Sequence, residues 1–176
     1  LAVHAALTGH VVLSTLHTNS SIGVIPRLID LKVRPFLLPS SLSLMIAQRL
    51  MSKICQDCKK SEPAPAEVQK MIKEELEALP AEVKKTISFK EPFQIYHASG
   101  CAVCKGKGIL DRQAIYEIFK MTRELSDIIS KGVSENILVE EAKRQQMVTL
   151  RQDGIIKALK GEILIEEVLR ETVSEV

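Results

Sequence analysis

The feature that most constrains this chain is its cysteines. There are four in 176 residues, and they form two pairs with the same two-residue gap, Cys55-x-x-Cys58 and Cys101-x-x-Cys104. That gap lets both thiolates of a pair turn toward one point, and two such knuckles supply the four soft ligands of a closed tetrahedral zinc site. The backbone must then bring the two knuckles together across forty-two intervening residues, more than a compact zinc ribbon uses. The second pair runs on as Lys105-Gly106-Lys107-Gly108, where glycine permits the positive φ angles that a tight knuckle needs.

Three kinds of chemistry compete for these residues. Structural zinc uses all four thiolates and leaves no open position for substrate or water. Disulfides need an oxidising compartment, whereas the chain reads as cytosolic. A thioredoxin-like redox pair needs one Cys-x-x-Cys at a helix start in a βαβ unit, and nothing places either pair there. The glycine-containing knuckle also resembles the cysteine-rich repeats of heat-shock co-chaperones, but that family would need further pairs. Composition argues against nucleic acid as a partner: 24 basic and 22 acidic residues leave a charge of +2, and aromatics are only 3% of the chain.

Hydrophobic residues make up 45% of the chain, enough for a real core. No apolar run approaches the ~20 residues needed to cross a bilayer, and the first residues do not read as a signal peptide, so a soluble protein is expected. Starting at Leu1 instead of Met, in what looks like mid-helix, suggests a fragment.

The periodicity of Val11–Leu16 predicts a strand buried on both faces of a parallel sheet, and the patterns of 20–31 and 36–53 predict helices, with Pro35 starting the second. Between Lys59 and Glu91 lie seven lysines and seven glutamates. There Val68, Met71, Ile72, Leu76 and Leu79 form one face of a solvated helix that stops at Pro80. Strand-like stretches return from Ile109 to Phe119. Thr122, Ser134 and Thr149 then stand as N-caps, and Gly132 and Gly161 stand where such helices would end. Strand followed by helices is α/β architecture.

The strand ends in Ser14-Thr15-Leu16-His17-Thr18-Asn19, a run of polar groups at the position where open α/β sheets gather their ligands. From Leu7 to Asn19 the sequence resembles the histidine box of the secretion ATPase superfamily, the motors of type II secretion and of type IV pilus extension and retraction. Ala47-Gln48-Arg49-Leu50 followed by the first cysteine pair is similar to that family's passage from its RecA-like core into a tetracysteine zinc subdomain. Gly100-Cys101-Ala102-Val103-Cys104-x-Gly-x-Gly, then Arg112-Gln113-Ala114-Ile115-Tyr116-Glu117, resembles the exit from it. The four cysteines favour the secretion and pilus-assembly branches.

The resemblance implies a homo-hexameric ring of RecA-like domains at the cytoplasmic face of the inner membrane. The ring would hydrolyse ATP with Mg2+ between subunits and work on an inner-membrane platform protein and other secretion or pilus-assembly components. His17 would sit near the γ-phosphate as sensor or stabiliser, with Thr15, Thr18 and Asn19 supporting it. Arg49 would reach a phosphate or an acidic partner, unless it is simply a helix-surface arginine. His10 would be structural. Cys55, Cys58, Cys101 and Cys104 would hold Zn2+.

No G-x-x-x-x-G-K-[ST] phosphate loop occurs in the chain, which by itself should neither bind ATP tightly nor hydrolyse it. Ser20-Ser21-Ile22-Gly23 departs from the family's usual acidic or small residue followed by alanine. Ser52 replaces a basic residue, and Leu164 replaces a threonine that often caps the last helix. The expected division is residues 1–53 as the end of the RecA-like core, 54–121 as the zinc subdomain with a helical insertion, and 122–176 as a helical subdomain. The alternative from another class is a stand-alone zinc-stabilised protein-binding module with no motor role.

Overall fold

The computed structural model describes residues 2–172. Leu1 and the last four residues of the expected 122–176 segment lie outside it. In chain order the elements are α1 (Ala2–Leu7), α2 (Val24–Asp30), a 3-10 turn (Pro35–Leu37), α3 (Leu38–Ser41), β1 (Leu44–Ile54), β2 (Lys59–Pro63), α4 (Ala66–Ala78) and α5 (Ala81–Thr86). They continue with β3 (Gln94–Ala98), β4 (Ile109–Lys120), α6 (Arg123–Lys131), α7 (Glu135–Arg144), α8 (Leu150–Leu159) and α9 (Ile165–Glu171). The mixed α/β character is as expected. The strands form two ribbons, β1 with β4 and β2 with β3.

The chain folds into two compact units, each built from two stretches of sequence. One takes the residues up to Ala47 together with Glu117–Met147, and the other takes Gln48–Tyr116 with the residues from Val148 onward.

In the first unit, alternation on the strands decides the core. Met45 and Ala47 of β1 and Glu117 and Phe119 of β4 are buried, whereas Leu44, Ile46 and Ile118 face outward. Met45 and Phe119 pack with Ile25 of α2, Leu38 of α3, Leu125 and Ile129 of α6, and Leu138 and Ala142 of α7. Each large side chain fully buried there contributes about 1.5–3 kcal/mol. Thr122 caps α6 by accepting from the Leu125 amide at 3.2 Å, and Gly132 ends that helix, both as the sequence predicts. Ser134 occupies the N-cap of α7 without a side-chain bond.

Two expectations are corrected in residues 1–53. Val11–Leu16 is not a strand: residues 10–18 carry neither helix nor strand, and Val11 and Leu13 are 95% exposed. A strand buried on both faces needs ladder partners on either side, and among the described residues none pairs with this segment. The helix expected over 36–53 is also absent. Pro35 and Pro39 start two short turns, and from Leu44 the chain is strand β1. In 20–31 a helix does form, over the shorter span of α2.

In the second unit α4 buries Ile72 and ends as Leu79 turns extended (ψ 149°). That is the conformation a following proline imposes, and Pro80 follows. Thr149 begins α8 with a capping box in which Thr149 and Gln152 exchange side-chain and backbone bonds, and Gly161 follows the helix end at φ +70°. Leu164 stands at the N-cap of α9 with no side-chain bond, so the missing threonine leaves that end uncapped. Helices α8 and α9 approach so closely that a Cβ on Gly154 would lie 2.5 Å from Val168 Cγ1.

Candidate metal centre and the histidine segment

Two ladders of the second unit converge on the cysteines. In the antiparallel β2–β3 ribbon Lys59 is opposite Ala98, which puts Cys58 at the same end as the Ser99–Cys101 turn. Where β1 runs out, the Cys55 amide donates to the Gly108 carbonyl at 2.9 Å, just before β4 begins. Backbone and side-chain bonds tie the end of β1 to the α8–α9 segment. The Ser52 amide donates to Glu167 at 2.7 Å, the Ile54 amide donates to the Glu162 carbonyl at 2.9 Å, and Gln56 Nε2 donates to the Gly161 carbonyl at 3.0 Å. Ser52 therefore secures the strand that delivers Cys55.

The second knuckle is a run of tight turns. Gly106 N donates to Cys101 O at 2.9 Å and Lys107 N donates to Cys104 O at 3.1 Å. Lys105, Gly106 and Gly108 all have positive φ. At Gly100, φ is +91° and a Cβ would come 2.5 Å from the Gly106 carbonyl oxygen, so no other residue fits without moving the turn.

All four sulfurs lie within 4.8 Å of one another. Cys55 Sγ is 3.8 Å from Cys101 Sγ, Cys58 Sγ is 3.8 Å from Cys104 Sγ, and Cys101 Sγ is 3.7 Å from Cys104 Sγ. These separations are far beyond the ~2.05 Å of a disulfide, and all four cysteines are free. Sulfurs each ~2.3 Å from a central tetrahedral ion would lie about 3.8 Å apart, which the cluster matches.

Burial pushes the Cys58 thiol up to about 12 and raises Cys55 as well. Cys104 is lowered to about 6, chiefly because the Cys101 amide, with that of Gly108, donates to its sulfur at 3.1 and 3.2 Å. The protein thus favours one thiolate and disfavours others. A divalent cation reverses this, because a coordinating thiol is deprotonated outright. The donor set and spacing fit a closed four-sulfur metal site, with the Asp57 carboxylate 3.9 Å from Cys55 Sγ beside it.

The histidine segment belongs to the first unit. Thr15, His17 and Asn19 lie exposed and Thr18 is half-buried. His10 is placed locally, its Nδ1 3.1 Å from Thr8 Oγ1 at the end of α1. Downstream the chain turns at Ser20, whose Oγ accepts from the Gly23 amide at 3.1 Å. Arg49 lies on β1, not on a helix surface, with a guanidinium N–H donating to the Gln48 carbonyl at 3.2 Å.

Two pairings at these sites are not readable from the sequence. Gln56, between the first cysteines, clamps its knuckle through Gly161. Ser21 and Glu117 meet in the core of the first unit, where the Ser21 amide and hydroxyl both donate to Glu117 Oε1, at 2.8 and 2.6 Å. Their partners lie 105 and 96 positions away, beyond the reach of local patterns.

Residues 1–170 match the family described as type II/IV secretion system protein. The chain belongs to that family. Among curated members, the type II secretion system ATPase E of Vibrio cholerae is 38% identical over 172 residues, covering 98% of this chain and 31% of its own length. The type IV pilus assembly ATPase PilB of Myxococcus xanthus is 38% identical over 173 residues, covering 98% and 29%. The type II secretion system protein E of Pseudomonas aeruginosa is 39% identical over 175 residues, covering 99% and 32%. The chain therefore spans under a third of the length of these type II/IV secretion relatives. The two Cys-x-x-Cys pairs come together as their spacing predicts, and no helix among the described residues is long and apolar enough to cross a membrane.

Proposed function

We propose that this chain is part of an ATP-driven motor of type II secretion or type IV pilus assembly. Support comes from the match along 98% of the chain to relatives named as ATPases of those two machines. On this reading the full polypeptide forms a homo-hexameric ring of RecA-like domains on the cytoplasmic side of the inner membrane and acts on a membrane platform protein. Residues 1–53 close the RecA-like core, 54–121 form the zinc lobe and 122–176 the helical lobe.

ATP and Mg2+ supply the phosphoryl chemistry when bound. The part played by this chain is to offer His17, whose imidazole can donate a hydrogen bond to a phosphate oxygen. Thr15, Thr18 and Asn19 orient it, and Arg49 offers a guanidinium to a phosphate or an acidic partner. Zinc held by Cys55, Cys58, Cys101 and Cys104 has no catalytic part. It joins segments forty-two residues apart into a lobe stiff enough to pass on movement, so its binding contributes to folding.

The test is ATP turnover by the full polypeptide and by this chain alone. The full polypeptide should hydrolyse ATP with Mg2+, and His17→Ala should lower kcat about a hundredfold with little change in KM. The isolated chain, which carries no phosphate loop, should release no phosphate. Turnover by the full polypeptide that is absent, or unaffected by His17→Ala, would refute the reading.

A further inference from the structure

The Ser21–Glu117 pair is more than core packing of an ordinary kind. Ser21 is wholly buried and Glu117 is 5% exposed, in a unit whose other interior groups are almost all apolar. A single carboxyl oxygen receives both the Ser21 amide and its hydroxyl, at 2.8 and 2.6 Å, and the same hydroxyl lies 3.6 Å from Met147 Sδ. Two bonds from one residue, one from its backbone and one from its side chain, fix direction as well as position, which a single bond does not.

The place where this happens matters. Ser21 is the first buried residue after the exposed run that carries Thr15, His17 and Asn19. Beyond it the chain is already committed: Ser20 Oγ holds the Gly23 amide, and α2 starts at Val24. A Cβ at Gly23 would lie 3.3 Å from Ser20 Oγ and 3.8 Å from Thr18 Cβ, so the turn is packed closely back toward the histidine segment. Glu117 itself is carried on β4, at a buried position of the strand.

We infer that Glu117 is a positioning residue for the histidine segment. Its buried carboxyl group anchors the chain at Ser21 and so sets where Asn19, Thr18 and His17 emerge from the core. The inference rests on the proposed role of His17 for its functional consequence, but the anchoring itself does not.

The experiment uses the full polypeptide and the variants Glu117→Ala, Glu117→Gln, Ser21→Ala and His17→Ala. It reads amide exchange over residues 17–24, melting temperature and ATP turnover. Glu117→Ala should raise exchange at Ser21 about tenfold or more. It should also lower kcat about tenfold to a hundredfold with KM for ATP within about threefold. Glu117→Gln keeps an acceptor oxygen and should restore most of both losses, and Ser21→Ala, which keeps the amide bond, should fall between. Unchanged exchange at Ser21 in Glu117→Ala would overturn the anchoring. So would exchange rising evenly through the unit, with turnover falling only as folded protein is lost. Full turnover in Glu117→Ala beside a crippled His17→Ala would overturn the positioning role. If exchange rises locally but turnover is normal in both variants, the anchoring stands and it is the role of His17 that fails.

Discussion

Gly154 lies inside α8, where helix propensity says that alanine should be better by about 0.8–1.0 kcal/mol. Packing says the reverse. A Cβ there would lie 2.5 Å from Val168 Cγ1 and 3.1 Å from Cγ2, against the ~3.5–4.0 Å of carbon–carbon contact. Val168 is fully buried and β-branched, with little freedom to rotate away, so the clash must be relieved by moving α8 and α9 apart by about 1 Å. Overpacking of this kind costs about 1–3 kcal/mol. Subtracting the propensity gain leaves Gly154→Ala destabilising by roughly 0–2 kcal/mol. The sharper prediction is a change of sign: in a Val168→Ala background, which removes both γ-methyls, Gly154→Ala should stabilise by about 1 kcal/mol. Urea unfolding of the four proteins, followed by circular dichroism, measures the cycle. Gly154→Ala stabilising equally in both backgrounds would refute the close approach of α8 and α9. The bonds that hold the end of β1, and with it Cys55, to this segment would then need another explanation.

Glu141 is almost fully buried and accepts from Arg144 at 2.6 and 2.8 Å, from Gln145 at 2.9 Å and from Thr122 at 3.0 Å. Arg144 above all holds its carboxyl group below the ordinary value of 4.5. A lowered carboxylate contributes stability that is complete above its unfolded value and is lost as pH falls through the folded one. Wild-type stability should therefore drop as pH falls below about 4.5, and Glu141→Gln should flatten that dependence in urea melts between about pH 3 and 5. Thr149→Ala removes one half of the capping box of α8 and should cost about 1 kcal/mol by the same unfolding assay. Cys55→Ser should lose bound zinc and lower the melting temperature of the lobe. Unchanged zinc content together with unchanged melting would contradict the four-sulfur site.

What the sequence revealed was whatever rests on short-range rules. The cysteine pairs could be read because a two-residue gap has few uses, and Thr122, Thr149, Gly132 and Gly161 could be read because caps are local. Residues 44–53 read as a helix because Leu44, Met45, Ile46, Ala47, Leu50 and Met51 suit a helical period and an alternating one equally. Pairing with β4, more than fifty residues on, decides for the strand. Val11–Leu16 has the composition of a buried strand, and composition cannot supply the neighbours such a strand requires. The pairings of Ser21 with Glu117 and of Gln56 with Gly161 depend on the finished fold, so no local pattern announces them.

The most direct measurement on the central claim, that these four sulfurs hold zinc, is metal content by elemental analysis on protein purified without chelator, joined to a thiol count. The account predicts close to one zinc per chain, with the four thiols reacting only after chelation. No metal, with four thiols reacting freely in the folded protein, would contradict it.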